Sequence, residues 1–388
     1  MNLARYRYIS KRKIIYTLIF LSLLMPSTVV HYPIAFRIVQ LTRTVAFLFS
    51  GLLLVRKSVP VDELLKAIFV YMIAQVVTTA LTTGNVVRCV SDLYPTIALC
   101  VLSKYYYTKD RGEFLDRIGT IFAIFMLINF ISWIMGGMYI DLTSSYGTER
   151  IVYFFGIRNM VGYFSVVAFP FILMLIQNKK KRILLLAGCA VTIYFIFAEH
   201  VSAAIMTLAV FSAGILLLSD AYGKLRNIYK ILSVSVVIFV LAIVVFRLQN
   251  YFSVILIDLL GESLDLNGRT IIWDSVLSQI QGVNWIIGHG TGFQKQFYLN
   301  GKYTTFAHNQ YLAILFDYGL IGLLGFLNVQ SVAIKSFMRN SKPENKLLFM
   351  GIIAALLGGI VEAVCDTPYY FFMIVIAYNM NIVSTGEK

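Results

Sequence analysis

Twelve apolar stretches, each near the length that crosses a bilayer, constrain this chain more than any motif does. They cover about 14–30, 34–55, 64–83, 86–106, 118–140, 158–176, 183–199, 201–219, 230–247, 306–334, 347–365 and 369–384. A hydrocarbon core takes ~20 apolar residues per helix. Inside lipid every backbone polar group needs a partner within the protein, so spanning elements are helices or closed barrels. These runs are continuous rather than alternating, which excludes the barrel. Hydrophobic residues make up 59% of the 388 and charged residues 13%, with a mean hydropathy of +0.78. A soluble domain averages about 25% charged. The expected fold is an all-α polytopic membrane protein with about 12 transmembrane helices, forming a single transmembrane domain over 1–388.

The run Ile14–Val30 follows Arg5, Arg7, Lys11, Arg12 and Lys13, the charge order of a signal peptide. No small-residue cleavage site follows, so it is read as an uncleaved first helix. With the N-terminus inside and strict alternation, 24 of the 33 Lys and Arg residues fall on inside segments. That is the positive-inside bias, and it puts both termini in the cytoplasm. It also accounts for the net charge of +14 without nucleic acid. Two outer loops are substantial, a smaller one at about 141–157 and a large one at about 248–305; long loops tend to carry function. Cys89, Cys100, Cys189 and Cys365 show no CxxC spacing.

The large loop has its own pattern. Ile272, Val276 and Ile280 recur every four residues beside Trp273 and Leu277, which predicts an amphipathic helix lying at the membrane surface. Gly288-His-Gly290-Thr-Gly follows, a turn whose backbone can approach a ligand closely.

Several arginines sit on the outer side. Arg37 is expected to snorkel to headgroups. Arg88 has a local partner in Asp92, four residues on. Arg43 lies deeper in its span, where an ionisable group needs a cavity or a partner. Arg150 and Arg158 border the smaller loop, Arg247 and Arg269 the larger. Guanidinium groups grip phosphate bidentately and never lose their charge, so Arg158 and Arg269 are candidate catalytic cations and Arg43 and Arg247 candidate binding residues. His308 opens the tenth span and suits a general base, with Asn309 beside it to orient a sugar or the imidazole. Gly319, Gly322 and Gly325 make a smooth stripe for helix packing, and Asp317 needs a partner. Glu362 and Asp366 share one face and are rival bases or salt-bridge partners. Glu199 and His200 read as a solvated turn. Nucleotide-binding, metalloprotease and hydrolase motifs are absent, as is an acidic run of the kind that holds a metal with a nucleotide sugar.

From Arg269 to Phe326 the chain reads GRTIIWDSVLSQI, IIGHGTG and FAHNQYLAILFDYGLIGLLGF, and this resembles the O-antigen ligase and polymerase (Wzy-type) family. FFGIRNMVGYF, Phe154–Phe164, is similar to a second motif of that family. The resemblance implies metal-independent glycan transfer, without a cofactor, from an undecaprenyl-diphosphate-linked oligosaccharide on the outer face of the plasma membrane. In that chemistry His308 takes the acceptor proton, Arg269 and Arg158 stabilise the leaving diphosphate, and Gly288 and Gly290 approach the substrate. The ligase branch usually places arginine after a hairpin serine. Here Ala203 follows Ser202, which favours a polymerase of O-antigen, capsule or exopolysaccharide repeats, served by a flippase and a chain-length regulator. A lipid-linked oligosaccharide flippase is the rival reading; such transporters usually show repeats and broken helices, and the sequence shows neither.

Overall fold

The computed structural model describes residues 14–141, 149–176, 182–218, 228–252, 266, 268–299, 301–339, 343–363 and 367–383. Each apolar stretch carries a helix. In order these are α1 (Ile14–Leu23), α2 (Pro33–Val55), α3 (Glu63–Ala80), α4 (Val86–Lys109), α5 (Arg111–Ile134), α6 (Met160–Ile176), α7 (Arg182–Ala198), α8 (Ser202–Leu218) and α9 (Ile228–Val244). Two shorter helices follow, α10 (Arg269–Gln279) and α11 (Asn284–Ile287), and then α12 (Gln310–Arg339), α13 (Pro343–Gly358) and α14 (Pro368–Val383). Among them α2, α3, α4, α5 and α12 are long and apolar enough to cross a membrane. Two short antiparallel hairpins interrupt the helical pattern: β1 (Tyr139–Asp141) with β2 (Arg150–Val152), and β3 (Phe297–Leu299) with β4 (Lys302–Thr304).

Local chemistry sets the helix ends. The side chains of Asp62, Asn85 and Asp110 accept from the amides of Leu65, Arg88 and Glu113, capping α3, α4 and α5. Pro33 opens α2, where its missing N–H costs nothing. The burial pattern then sorts the helices. α14 is buried on all sides from Tyr370 to Tyr378, as a helix apolar all round must be. Phe372 packs there edge-on or tilted against Phe114, Phe122 and Phe171. By contrast α2 exposes Ile34, Ile38, Leu41, Val45, Leu48, Leu52 and Val55 along one face. Water does not tolerate such a continuous apolar stripe, whereas lipid does. The chain is an integral membrane protein.

Two features differ from the sequence reading. The expected helical face of the large loop exists, but it meets protein rather than headgroups. Ile272, Trp273, Val276 and Ile280 are buried against Val244, Phe297, Leu312, Phe316 and Ile360. Arg247 covers this face from outside, pairing with Asp274 and lying 5.2 Å from the Trp273 ring centroid. The β3–β4 hairpin and the start of α12 supply the apolar cover that the membrane surface was expected to give.

The second difference is that α12 is broken. Gly319 has φ +60° and ψ −161°, so the expected glycine stripe is a packing surface only in part. Gly325 lies against Tyr71 of α3, as a stripe glycine should. At Gly319 a Cβ would lie 2.2 Å from the carbonyl oxygen of Ile286. The break exposes carbonyls, and the GHGTG turn plugs it: His289 N donates to Phe316 O (2.9 Å) and Gly290 N to Asp317 O (2.8 Å). Gly288 and Gly290 are small because Asp317, Tyr318, Thr82 and Gly84 press on them, not to admit a ligand. Asp317 finds its partner in Lys295 at 2.6 Å.

A Gly319→Ala variant is expected to lose roughly 1–3 kcal/mol from backbone strain alone, before the clash with Ile286. Thermal unfolding in detergent reads this as a clear drop in Tm; an unchanged Tm contradicts the account of the break.

Candidate functional site

The chemistry gathers where the α13–α14 connection meets the start of α12. Tyr311 Oη donates to Leu356 O (2.6 Å), Gln310 N to Gly359 O (2.7 Å) and Asn309 Nδ2 to Ile360 O (2.8 Å). These bonds stitch the turn beyond α13 to the head of α12. Asn309 is fully buried, and its Oδ1 accepts from Leu312 N at 2.9 Å. It is therefore the N-cap of α12. The expected sugar-orienting role falls to structure instead: Asn309 fixes the turn that aims His308.

Glu362 sits in that turn, outside the helical spans and 4% exposed. Four side chains from three separate segments converge on its carboxylate. Oε1 accepts from Asn159 Nδ2 (3.0 Å) and Arg269 Nη2 (3.2 Å). Oε2 accepts from Tyr163 Oη (2.6 Å) and from His308 Nδ1 (3.3 Å). Burial pushes the carboxyl pKa up, and it is the largest single influence. The hydrogen bond and charge of His308, the charge of Arg269 and the Tyr163 hydroxyl together outweigh it and bring the pKa down to about 2. An ionised carboxylate has no proton to give, so Nδ1 of His308 donates to it, and in the uncharged imidazole Nε2 is then the basic nitrogen. Of the two rival carboxylates, Glu362 is thus the orienting partner rather than the base. Asp366 lies outside the described residues.

The predicted arginines separate into different roles. Arg269 opens α10 and is held on three sides, by Val361 O (3.1 Å), Leu266 O (3.1 Å) and Glu362. Its charge is balanced locally. Arg158, in the turn before α6, is exposed, bonds only the carbonyl of Glu199 at 3.3 Å, and makes no carboxylate ion pair among the described residues. Among the described residues it is a cation of the site whose charge no carboxylate pairs. Arg43 is elsewhere: it bonds the carbonyls of Ser22 (3.0 Å) and Met25 (2.9 Å) beyond α1, with no part in the cavity. Arg247 is taken by Asp274 and Trp273, as described. Neither is placed to bind a substrate there.

A cavity of about 720 Å³ joins these groups, lined by Arg150, Arg158, Asn159, Arg269 and His308 together with Glu149, Tyr153, Glu199, His200, Ser202 and Ala203. Its walls come from the β1–β2 hairpin, the heads of α6 and α8, and α10. Asn159 and Tyr163 were missed as individual residues although both lie in the Phe154–Phe164 motif, four apart and so on one helical face. Glu199 and His200 form the expected turn, with His200 exposed, but the turn is tied into the site: Glu199 accepts from Trp133 Nε1 at 2.6 Å, and both residues line the cavity. His308 and His200 have left-handed backbones, φ +46° and +49°. Such strain in a non-glycine residue persists where the surroundings enforce it, and it clusters at functional sites.

Because the carboxyl of Glu362 is depressed when folded, against ~4.3 in an unfolded chain, its charge stabilises the fold above that value. This contribution is lost as pH falls toward about 2. The Tm of the wild-type protein should therefore fall more steeply below pH ~4.3 than that of Glu362→Gln; parallel slopes contradict the assignment.

The family model for O-antigen ligase matches residues 187–327. That span covers the His200 turn, α10 with Arg269, and His308, and it stops short of both Arg158 and Glu362. No curated protein matches the chain. Residues 187–327 are thus similar to the O-antigen ligase family.

Proposed function

We propose that the protein polymerises lipid-linked oligosaccharide repeat units on the outer face of the plasma membrane, with twelve crossings and both termini in the cytoplasm. The donor is a glycan on undecaprenyl diphosphate and the acceptor is a second lipid-linked repeat. The observation that carries this reading is the buried Glu362 carboxylate holding His308 by Nδ1 at the wall of a cavity also lined by Arg158, which has no carboxylate partner among the described residues.

The step balances as follows. An acceptor hydroxyl oxygen attacks the anomeric carbon of the donor, and its proton passes to His308 Nε2. The bond from the anomeric carbon to the phosphate oxygen breaks, and the lipid diphosphate departs with the electron pair. The leaving group gains charge in the transition state, where a fixed cation contributes most. Arg158 fills that role. Arg269 contributes its remaining N–H groups to the cavity and, through Glu362, fixes the imidazole. Glu362 also stabilises the imidazolium that forms, as an orienting carboxylate does beside a catalytic histidine.

Polymerase is preferred to ligase because Ala203, at the cavity wall, stands where the ligase branch usually has arginine. The flippase reading gains nothing from the break in α12: it is plugged by the GHGTG turn, and neither Asp317 nor Gly319 lines the cavity.

In a deletion strain complemented with variants, His308→Ala should cut chain elongation by roughly 10²–10⁴-fold, leaving single repeats at the cell surface on glycan gels. Glu362→Gln should cost at least about tenfold by weakening control of the tautomer. Full-length polymer from His308→Ala at normal expression rules out its role as base, and repeats trapped inside the cell by the deletion favour the flippase.

A further inference from the structure

The cavity has a second end that the chemistry above does not use. α7 closes with paired bonds, Val201 N to Ile196 O (3.0 Å) and His200 N to Phe197 O (3.2 Å). This is the Schellman pattern, with Val201 buried beside Ile196, and it makes His200 the residue just past the cap. Glycine is favoured there because φ is positive. A histidine in this place holds φ +49° at a cost in strain, and its side chain lies exposed in the cavity with no ring hydrogen bond among the described residues. The cap itself does not need an imidazole.

The surroundings say what this end would hold. Glu199 adjoins His200, with its carboxylate fixed by Trp133 and its carbonyl by Arg158. Glu149 is the other carboxylate on the cavity wall. Two carboxylates repel a phosphate but accept from hydroxyls, and an imidazole both donates and accepts. Arg158 and Asn159 are consecutive residues, one bonded to Glu199 and the other to Glu362. Arg158 thus joins the Glu199–His200 turn, and its neighbour Asn159 joins the Glu362–His308 pair.

Resting on the glycosyl-transfer reading, we infer that His200 is a specificity-determining residue that binds a saccharide ring of the lipid-linked substrate through its hydroxyls, with Glu199 as the accepting partner. The ring so held is a different one from the sugar whose anomeric carbon faces His308.

The strained backbone makes the test selective. His200→Gly restores the preferred residue to the cap, so the full-length protein in lipid nanodiscs should keep or raise its Tm. With the lipid-linked oligosaccharide that accumulates in the deletion strain, KM should rise about tenfold, the worth of a hydrogen bond, while kcat holds. Inhibition by undecaprenyl diphosphate carrying no sugar should be unchanged in His200→Gly and weakened in Arg158→Ala. An unchanged KM overturns the inference. Weakened inhibition by the sugar-free carrier in His200→Gly makes the residue a phosphate ligand, and a lower Tm makes it structural; either result also overturns it. A wild-type protein that neither elongates the oligosaccharide nor is inhibited by the carrier refutes the glycosyl-transfer reading itself.

Discussion

A carboxylate taken out of water is stable only if it is matched by donors, and Glu362 is matched by Asn159, Arg269, Tyr163 and His308. These four come from the head of α6, the head of α10 and the turn leading into α12, far apart in sequence. Removing one partner of such a buried charged pair typically costs about 3–5 kcal/mol. The interaction therefore does two things at once. It ties the large loop and two helices of the bundle together, and it presets the protonation geometry of the histidine facing the cavity.

The large loop depends on a different device. A helix that ran unbroken through Gly319 would satisfy its own carbonyls and leave the GHGTG turn with nothing to bind. The break hands those carbonyls to His289 and Gly290, and the turn in turn contacts Thr79, Gly84 and Asn85 at the α3–α4 end. With Lys295 on Asp317 and Arg247 on Asp274, the loop is locked at several points. α10 can then hold Arg269 in one place, which the ion pair with Glu362 requires.

Much of this was legible in the sequence, and what was missed was missed for physical reasons. Apolar runs located the long helices because lipid imposes one rule on every span. The period of Ile272, Val276 and Ile280 gave the helix and its face but not what covers it, since periodicity reports amphipathicity and not the partner. His308, Arg158 and Arg269 were singled out by residue type and resemblance, and the fold brings them to one cavity. The reduction of Arg43, Arg247 and Asn309 to structural roles was not legible, because each depends on carbonyls or side chains brought near only by the fold. Gly319 read as a packing glycine because glycine serves close approach and positive φ equally well. His200 read only as part of a solvated turn, because its positive φ is visible only in the folded backbone.

The central claim is that a lipid diphosphate lies against Arg158 with its sugar presented to a histidine already oriented by Glu362. A cryo-electron-microscopy structure of the full-length protein in nanodiscs with a non-transferable sugar-diphosphate-lipid analogue tests it most directly. The account predicts phosphate density within hydrogen-bonding distance of Arg158, the anomeric carbon facing His308 Nε2, and the Glu362 contacts intact. Phosphate density outside this cavity, or Glu362 released from His308 in the bound state, contradicts it.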